Sequence, residues 1–136
     1  MFQLTGVIRN LVNDVDTQRR LVGMGGVSQV SRCLKLFMTD LDVVCNIART
    51  VSVMSSDDEA CAAIAEDPDF TSTAVSVLNK YPGRQDIVVR LTYCEYNIQY
   101  CGTCLQKIFK VKALAFKVCL NDEFLKNIFK SLKQLP

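Results

Sequence analysis

Cys101-Gly102-Thr103-Cys104 sets two thiols two residues apart. In a redox enzyme that spacing follows a strand and opens a helix, whose N-terminus lowers the thiol pKa. With Cys94 and Cys119 it offers four sulfurs at gaps of six, two and fourteen residues. Tetrahedral zinc needs four converging thiolates of this kind. No strand–helix alternation surrounds the pair, and there is no second C-x-x-C. Two ordinary thiols near a helix end is the reading these surroundings favour; a redox or zinc module on Cys94, Cys101, Cys104 and Cys119 is the alternative. Other chemistry is thinner. The chain has no histidine, so Ser-His and Cys-His nucleophiles and imidazole metal sites are absent. Gly23-Met24-Gly25-Gly26 lacks the Gly-Lys-Ser/Thr of a phosphate loop. Asp57-Asp58-Glu59 stands where a helix should begin, and the helix dipole favours acids there without calcium. These residues predict a binding module: no catalytic residue, no metal, no cofactor.

The composition agrees. The chain has 136 residues, 49% hydrophobic and 22% charged, which suits one globular domain. A formal charge of +2 is too small to argue for nucleic acid. Seven cysteines, an odd number, and no secretory leader point to a reducing, cytoplasmic compartment. A membrane span needs roughly 18 consecutive apolar residues. The best stretch, Leu105 to Leu120, is broken by Lys107, Lys110, Lys112 and Lys117, so no span is expected.

What must position any site is helical. Val27, Val30, Leu34 and Phe37 recur at helical spacing. So do Val44, Ile47, Ala48, Val51 and Met54; Phe70, Ala74, Leu78 and Tyr81; and Ile87, Leu91, Cys94 and Ile98. Gly25-Gly26 can end one helix and open the next. Thr39-Asp40 and Ser56-Asp57 offer caps, and Tyr81-Pro82-Gly83 is a stop. Asp67-Pro68 predicts a helix start with proline at the first helical position. The stripes also repeat. Leu34 and Leu78, Val44 and Val88, and Ile47 and Leu91 are each 44 residues apart; Leu21 and Ile64 are 43 apart. A helical period of about 40–47 residues marks armadillo or HEAT arrays.

Roughly the first two-thirds of the chain, up to about Cys94, resembles the armadillo-repeat family. Leu4-Thr5-Gly6-Val7-Ile8-Arg9-Asn10-Leu11-Val12-Asn13 is similar to the end of an armadillo third helix, with its Asn-Leu pair. Met24-Gly25-Gly26-Val27 resembles the family's glycine turn into the second helix. Thr92-Tyr93-Cys94-Glu95-Tyr96-Asn97-Ile98 is similar to another third-helix ending. The resemblance implies an all-α solenoid, a right-handed superhelical stack. It also implies a concave groove lined by third helices, where asparagines bond an extended peptide and an aromatic four residues earlier packs between its side chains. Asn10, Val53 and Asn97 hold equivalent positions; the residues four before are Gly6, Arg49 and Tyr93. Only Tyr93 with Asn97 keeps the pair, so the groove departs from the nuclear-import type. The alternative is that Asn10 and Asn97 bond local backbone at a helix end. Arg9, Arg49 and Arg90 recur along the long helices; they can meet an acidic partner or simply solvate an outer face. Within the family, the likeness leans toward armadillo proteins of cilia and flagella.

The last third breaks the pattern. Residues 1–94 hold seven arginines, two lysines and eleven acids; residues 95–136 hold seven lysines, no arginine and three acids. Glu95 stands where the equivalent residue is Val51. This predicts a junction near residue 95 and a truncated or spliced isoform of a longer protein; an atypical capping repeat is the other reading. Beyond Asn121-Asp122, apolar Phe124, Leu125, Ile128, Phe129, Leu132 and Leu135 face away from Lys126, Lys130 and Lys133. Such a helix packs on the preceding repeat, or binds a membrane surface or an acidic partner.

The expected organisation is an armadillo domain at 1–94, with a third-helix remnant at 3–13 and repeats at 14–56 and 57–98, followed by a divergent lysine-rich helical tail at 95–136. Its expected function is a non-enzymatic protein–protein scaffold, with Asn10, Arg49, Arg90, Tyr93 and Asn97 binding a protein or peptide. Apolar stack ends would promote self-association.

Overall fold

The computed structural model describes residues 1–100. The C-x-x-C, Cys119 and the amphipathic segment after Asn121 lie outside them. The described residues form seven helices and no strand: α1 (Phe2–Leu11), α2 (Val15–Gly23), α3 (Gly26–Leu36), α4 (Leu41–Met54), α5 (Asp58–Glu66), α6 (Phe70–Lys80) and α7 (Gln85–Tyr100). Each helix packs on the one three places later: α1 on α4, α4 on α7, α2 on α5 and α3 on α6. That offset is the spatial form of the 43- and 44-residue echo. Leu34 with Leu78, Val44 with Val88, and Ile47 with Leu91 are all buried, in like surroundings. Each such side chain contributes roughly 1.5–3 kcal/mol by leaving water.

Aspartates start α2, α4 and α5. Asp14 accepts the Thr17 N–H at 2.8 Å, Asp40 that of Val43 at 3.2 Å, and Asp57 that of Ala60 at 3.1 Å. A cap of this type is worth about 1 kcal/mol. Gly25 turns the chain at φ +73°, a conformation that costs other residues energy. Gly26 follows because nothing larger fits: a Cβ there would lie 2.5 Å from the Leu21 side chain and 2.7 Å from its carbonyl oxygen.

The expected start at Pro68 is corrected. α6 begins two residues later, at Phe70, and Pro68 lies in the turn before it. Asp67 is held extended, as the residue before proline tends to be. Its carboxylate accepts the Asp69 N–H at 3.1 Å and the Ser31 hydroxyl at 3.0 Å, so the side chain organises a turn instead of a helix. Near the expected junction, α7 runs unbroken through Glu95 to Tyr100.

The upstream end of the stack is apolar. Met1, Leu4, Val7, Leu11, Met24 and Leu36 are exposed there. A cavity of about 410 Å³ opens between α1, α3 and α4, walled by Leu4, Ile8, Val30, Phe37 and Ile47. Among the described residues no helix is long and apolar enough to cross a membrane.

Candidate functional site

α1, α4 and α7 lie side by side, and polar contacts join them at two levels. At the first, Asn46 sits buried on α4. Its carbonyl accepts Arg9 Nη1 at 2.9 Å, and its amide donates to the Thr5 hydroxyl at 3.2 Å and the Phe2 carbonyl at 3.3 Å. At the second, α7 meets the end of α4. The Tyr93 and Ser56 hydroxyls are 3.2 Å apart, and the Asn97 amide donates to the Ser55 hydroxyl at 3.0 Å. Hydrogen bonds from Ser56 and then Asn97 lower the Tyr93 phenol pKa, because they favour the phenolate.

The expected site residues distribute over this face. Arg49 is exposed on α4, in the same register as Tyr93, 44 residues on. Tyr93 is 46% exposed, and Arg90 and Asn97 are half-buried beside it on α7. Asn10 is exposed on α1, where its backbone carbonyl accepts the Asn13 amide at 3.0 Å. Tyr93 and Asn97 thus come together, whereas Asn10 stands two helices away. Asn97 spends its amide on Ser55, the residue that caps α4.

Sequence reasoning missed three contributors. Asn46 interrupts the apolar run Val43-Val44 to Ile47-Ala48, and that interruption is its signal. Gln18 is buried and donates its amide to the Val12 carbonyl at 2.6 Å, tying α2 to the end of α1. Asp86 takes both Arg84 Nε (3.1 Å) and Nη2 (3.0 Å) and also accepts the Cys45 thiol at 3.3 Å. Arg84 holds the Asp86 carboxyl below its usual range; burial, and then Asp86, push the Cys45 thiol up.

Three thiols of the redox or zinc alternative, Cys101, Cys104 and Cys119, lie outside the described residues. Cys94 is the one member of the four-thiol set within the described residues. Burial drives its pKa well above normal, the reverse of what a redox thiolate requires. Among the described residues no group of three or more His, Cys, Asp or Glu could hold a metal.

Comparison with known proteins points one way. The chain is 33% identical over 98 residues to Armadillo repeat-containing protein 2 of Mus musculus, 30% to that of Bos taurus and 29% to that of Homo sapiens. Each match covers 72% of this chain. The chain spans only about 12% of the mouse relative's length and 11% of the other two. No family model matches the chain, and no solved structure matches it.

Proposed function

Because this chain belongs to the armadillo-repeat family, we propose that its third-helix face docks an extended segment of a partner protein. Armadillo-repeat proteins generally serve as scaffolds for protein interaction and not as enzymes. In this reading residues 3–13 are a third-helix remnant, 14–56 and 57–98 are repeats, and 95–136 is a separate lysine-rich segment. Arg49, Arg90, Tyr93, Asn97 and Asn10 contact the partner in a reducing, cytoplasmic or ciliary setting. One observation carries the reading: Tyr93 is half exposed on α7 while its hydroxyl is fixed by Ser56, in the turn just after α4. An aromatic ring held that way presents area at little entropic cost. The test is a random-peptide selection on the full chain. Enriched peptides should lose tenfold or more in affinity on Tyr93→Ala combined with Arg49→Glu. Undiminished binding by that variant overturns the reading.

End-to-end association is the second reading, favoured by the apolar upstream end. Met24 is 82% exposed and Leu36 66%, and the cavity behind them is lined by apolar side chains. Sedimentation velocity should show concentration-dependent association that Leu36→Glu removes. A monomer at all concentrations would count against it.

A further inference from the structure

Ser55-Ser56-Asp57-Asp58-Glu59 sets two hydroxyls directly before three acids. The fold treats the two serines differently. Ser55 is 4% exposed; its hydroxyl donates to the Ser52 carbonyl at 2.9 Å and accepts the Asn97 amide at 3.0 Å. Ser55 is therefore spent inside the stack. Ser56 is exposed, in the turn between α4 and α5. Its hydroxyl meets the Tyr93 hydroxyl at 3.2 Å, and that contact also lies at the surface. Backbone bonds from the Ser56 N–H to the Val53 carbonyl (3.2 Å) and from the Asp57 N–H to the Met54 carbonyl (3.1 Å) hold the corner. There is room beside it: a cavity of about 430 Å³ is walled in part by Ser52, Val53, Ser56 and Tyr93.

The three acids follow Ser56 at the first, second and third places after it. Asp57 caps α5, and Asp58 and Glu59 stand exposed in its first turn. An accessible hydroxyl followed at once by a row of carboxylates is the complement of a basic substrate cleft. We propose that Ser56 is the phosphoacceptor for a serine/threonine kinase that reads acids after its target, placed so that the phosphate acts on Tyr93. The Ser56 oxygen attacks the γ-phosphorus of ATP, the bond from that phosphorus to the β–γ bridging oxygen breaks, ADP leaves, and the hydroxyl proton passes to the kinase's base. The product puts a charge of about −1.5 to −2 just ahead of α5, where the helix N-terminus favours an anion and offsets part of its repulsion with the acids. Arg19 stands at the same corner, 3.8 Å from Asp57 and 3.7 Å from Glu59. The serine oxygen that faced Tyr93 then has no proton to give and sits beside a phosphate. Thr39 is the comparison within the chain. It too is exposed in a turn, with Asp40 and Asp42 after it but Leu41 between them. The inference goes beyond the docking reading and does not depend on it.

The experiment incubates the folded full chain with ATP and a purified serine/threonine kinase of the acid-directed class, and maps phosphate by tandem mass spectrometry. Ser56 should be modified at least tenfold faster than Ser55 or Thr39, and Ser56→Ala should remove that phosphate. Asp58→Asn combined with Glu59→Gln keeps the Asp57 cap and should slow the reaction tenfold or more. In the phosphorylated chain the Tyr93 phenol should titrate higher than in the unmodified chain, because the added negative charge opposes the phenolate. No phosphate on Ser56, faster modification of Ser55 or Thr39, or an undiminished rate in the acid-neutralised variant overturns the site. An unchanged Tyr93 titration overturns its link to the third-helix face.

Discussion

Asn46 accepts the Arg9 guanidinium at 2.9 Å across the α1–α4 seam, 37 residues away in sequence. Its amide also donates to Thr5 and to the Phe2 carbonyl, so one buried side chain fastens α1 by three bonds. Asn46→Leu should release α1 and leave the half-buried Arg9 guanidinium without its Asn46 acceptor, while the Thr5 hydroxyl keeps its bond to the Phe2 carbonyl at 2.9 Å. Leaving such a group unpaired costs about 1–3 kcal/mol. Urea unfolding followed by circular dichroism would measure the loss; a change below about 0.5 kcal/mol, the level of ordinary surface substitutions, contradicts the role given to Asn46.

The glycine pair separates two costs. Gly26→Ala forces a methyl group into Leu21 and its carbonyl, which should destabilise by about 1–3 kcal/mol, as overpacking does. Gly25→Ala meets no atom within 4 Å and has only its φ of +73° to disturb, so roughly 1 kcal/mol is expected. Thermal unfolding of the two variants should rank Gly26→Ala as the worse. The opposite order would refute the close approach of α2 and α3.

Glu95 makes stability depend on pH in an unusual direction. Burial raises its pKa from 4.5 to about 7. The folded state therefore holds a proton that the unfolded chain releases. The stabilisation is complete below the unfolded value, falls as pH rises through the window from 4.5 to about 7, and is gone above it. Relative to Glu95→Gln, the wild type should lose up to about 3 kcal/mol between pH 4.5 and 7.5. Parallel stability curves for the two proteins would show that burial does not hold this proton. Glu95→Val, which installs the residue found at position 51, should be more stable than wild type at pH 7.5.

Tyr93 should titrate below the ordinary phenol range. Ser56 and Asn97 lower its pKa from the ordinary 10. In an ultraviolet titration of phenolate absorbance, Tyr93→Phe should remove a component centred below 10, and Asn97→Ala should move it later. A lost component centred at 10 or above would contradict the hydrogen bonds to Ser56 and Asn97.

Much of the scaffold was readable because its signals are local or periodic. Leu34 and Leu78 need only spacing to be paired, and Asp40 and Asp57 announce helix starts by type and place. Pro68 misled because a nearby side chain outcompeted a local preference: the Asp67 carboxylate gathered Asp69 and Ser31 into a turn. Asn46 and Gln18 were invisible for a different reason. Whether a polar side chain finds buried partners depends on the helix that comes to lie against it, and the partners of both lie on α1 or at its end. Asn97 and Tyr93 were legible as residues of interest. Their partners, Ser55 and Ser56, were not, because those serines look like ordinary turn residues in the sequence.

Among the described residues, the hydrogen bonds that tie distant segments each reach 36 to 44 residues along the chain, as between Ser31 and Asp67 or Phe2 and Asn46. Fastening is therefore next-door only, like bricks mortared to the course below. A whole course of three helices could be inserted or excised between Leu11 and Asp57 with the seams on either side still finding familiar mates. Such masonry lets length drift over evolutionary time without a redesign of its interior.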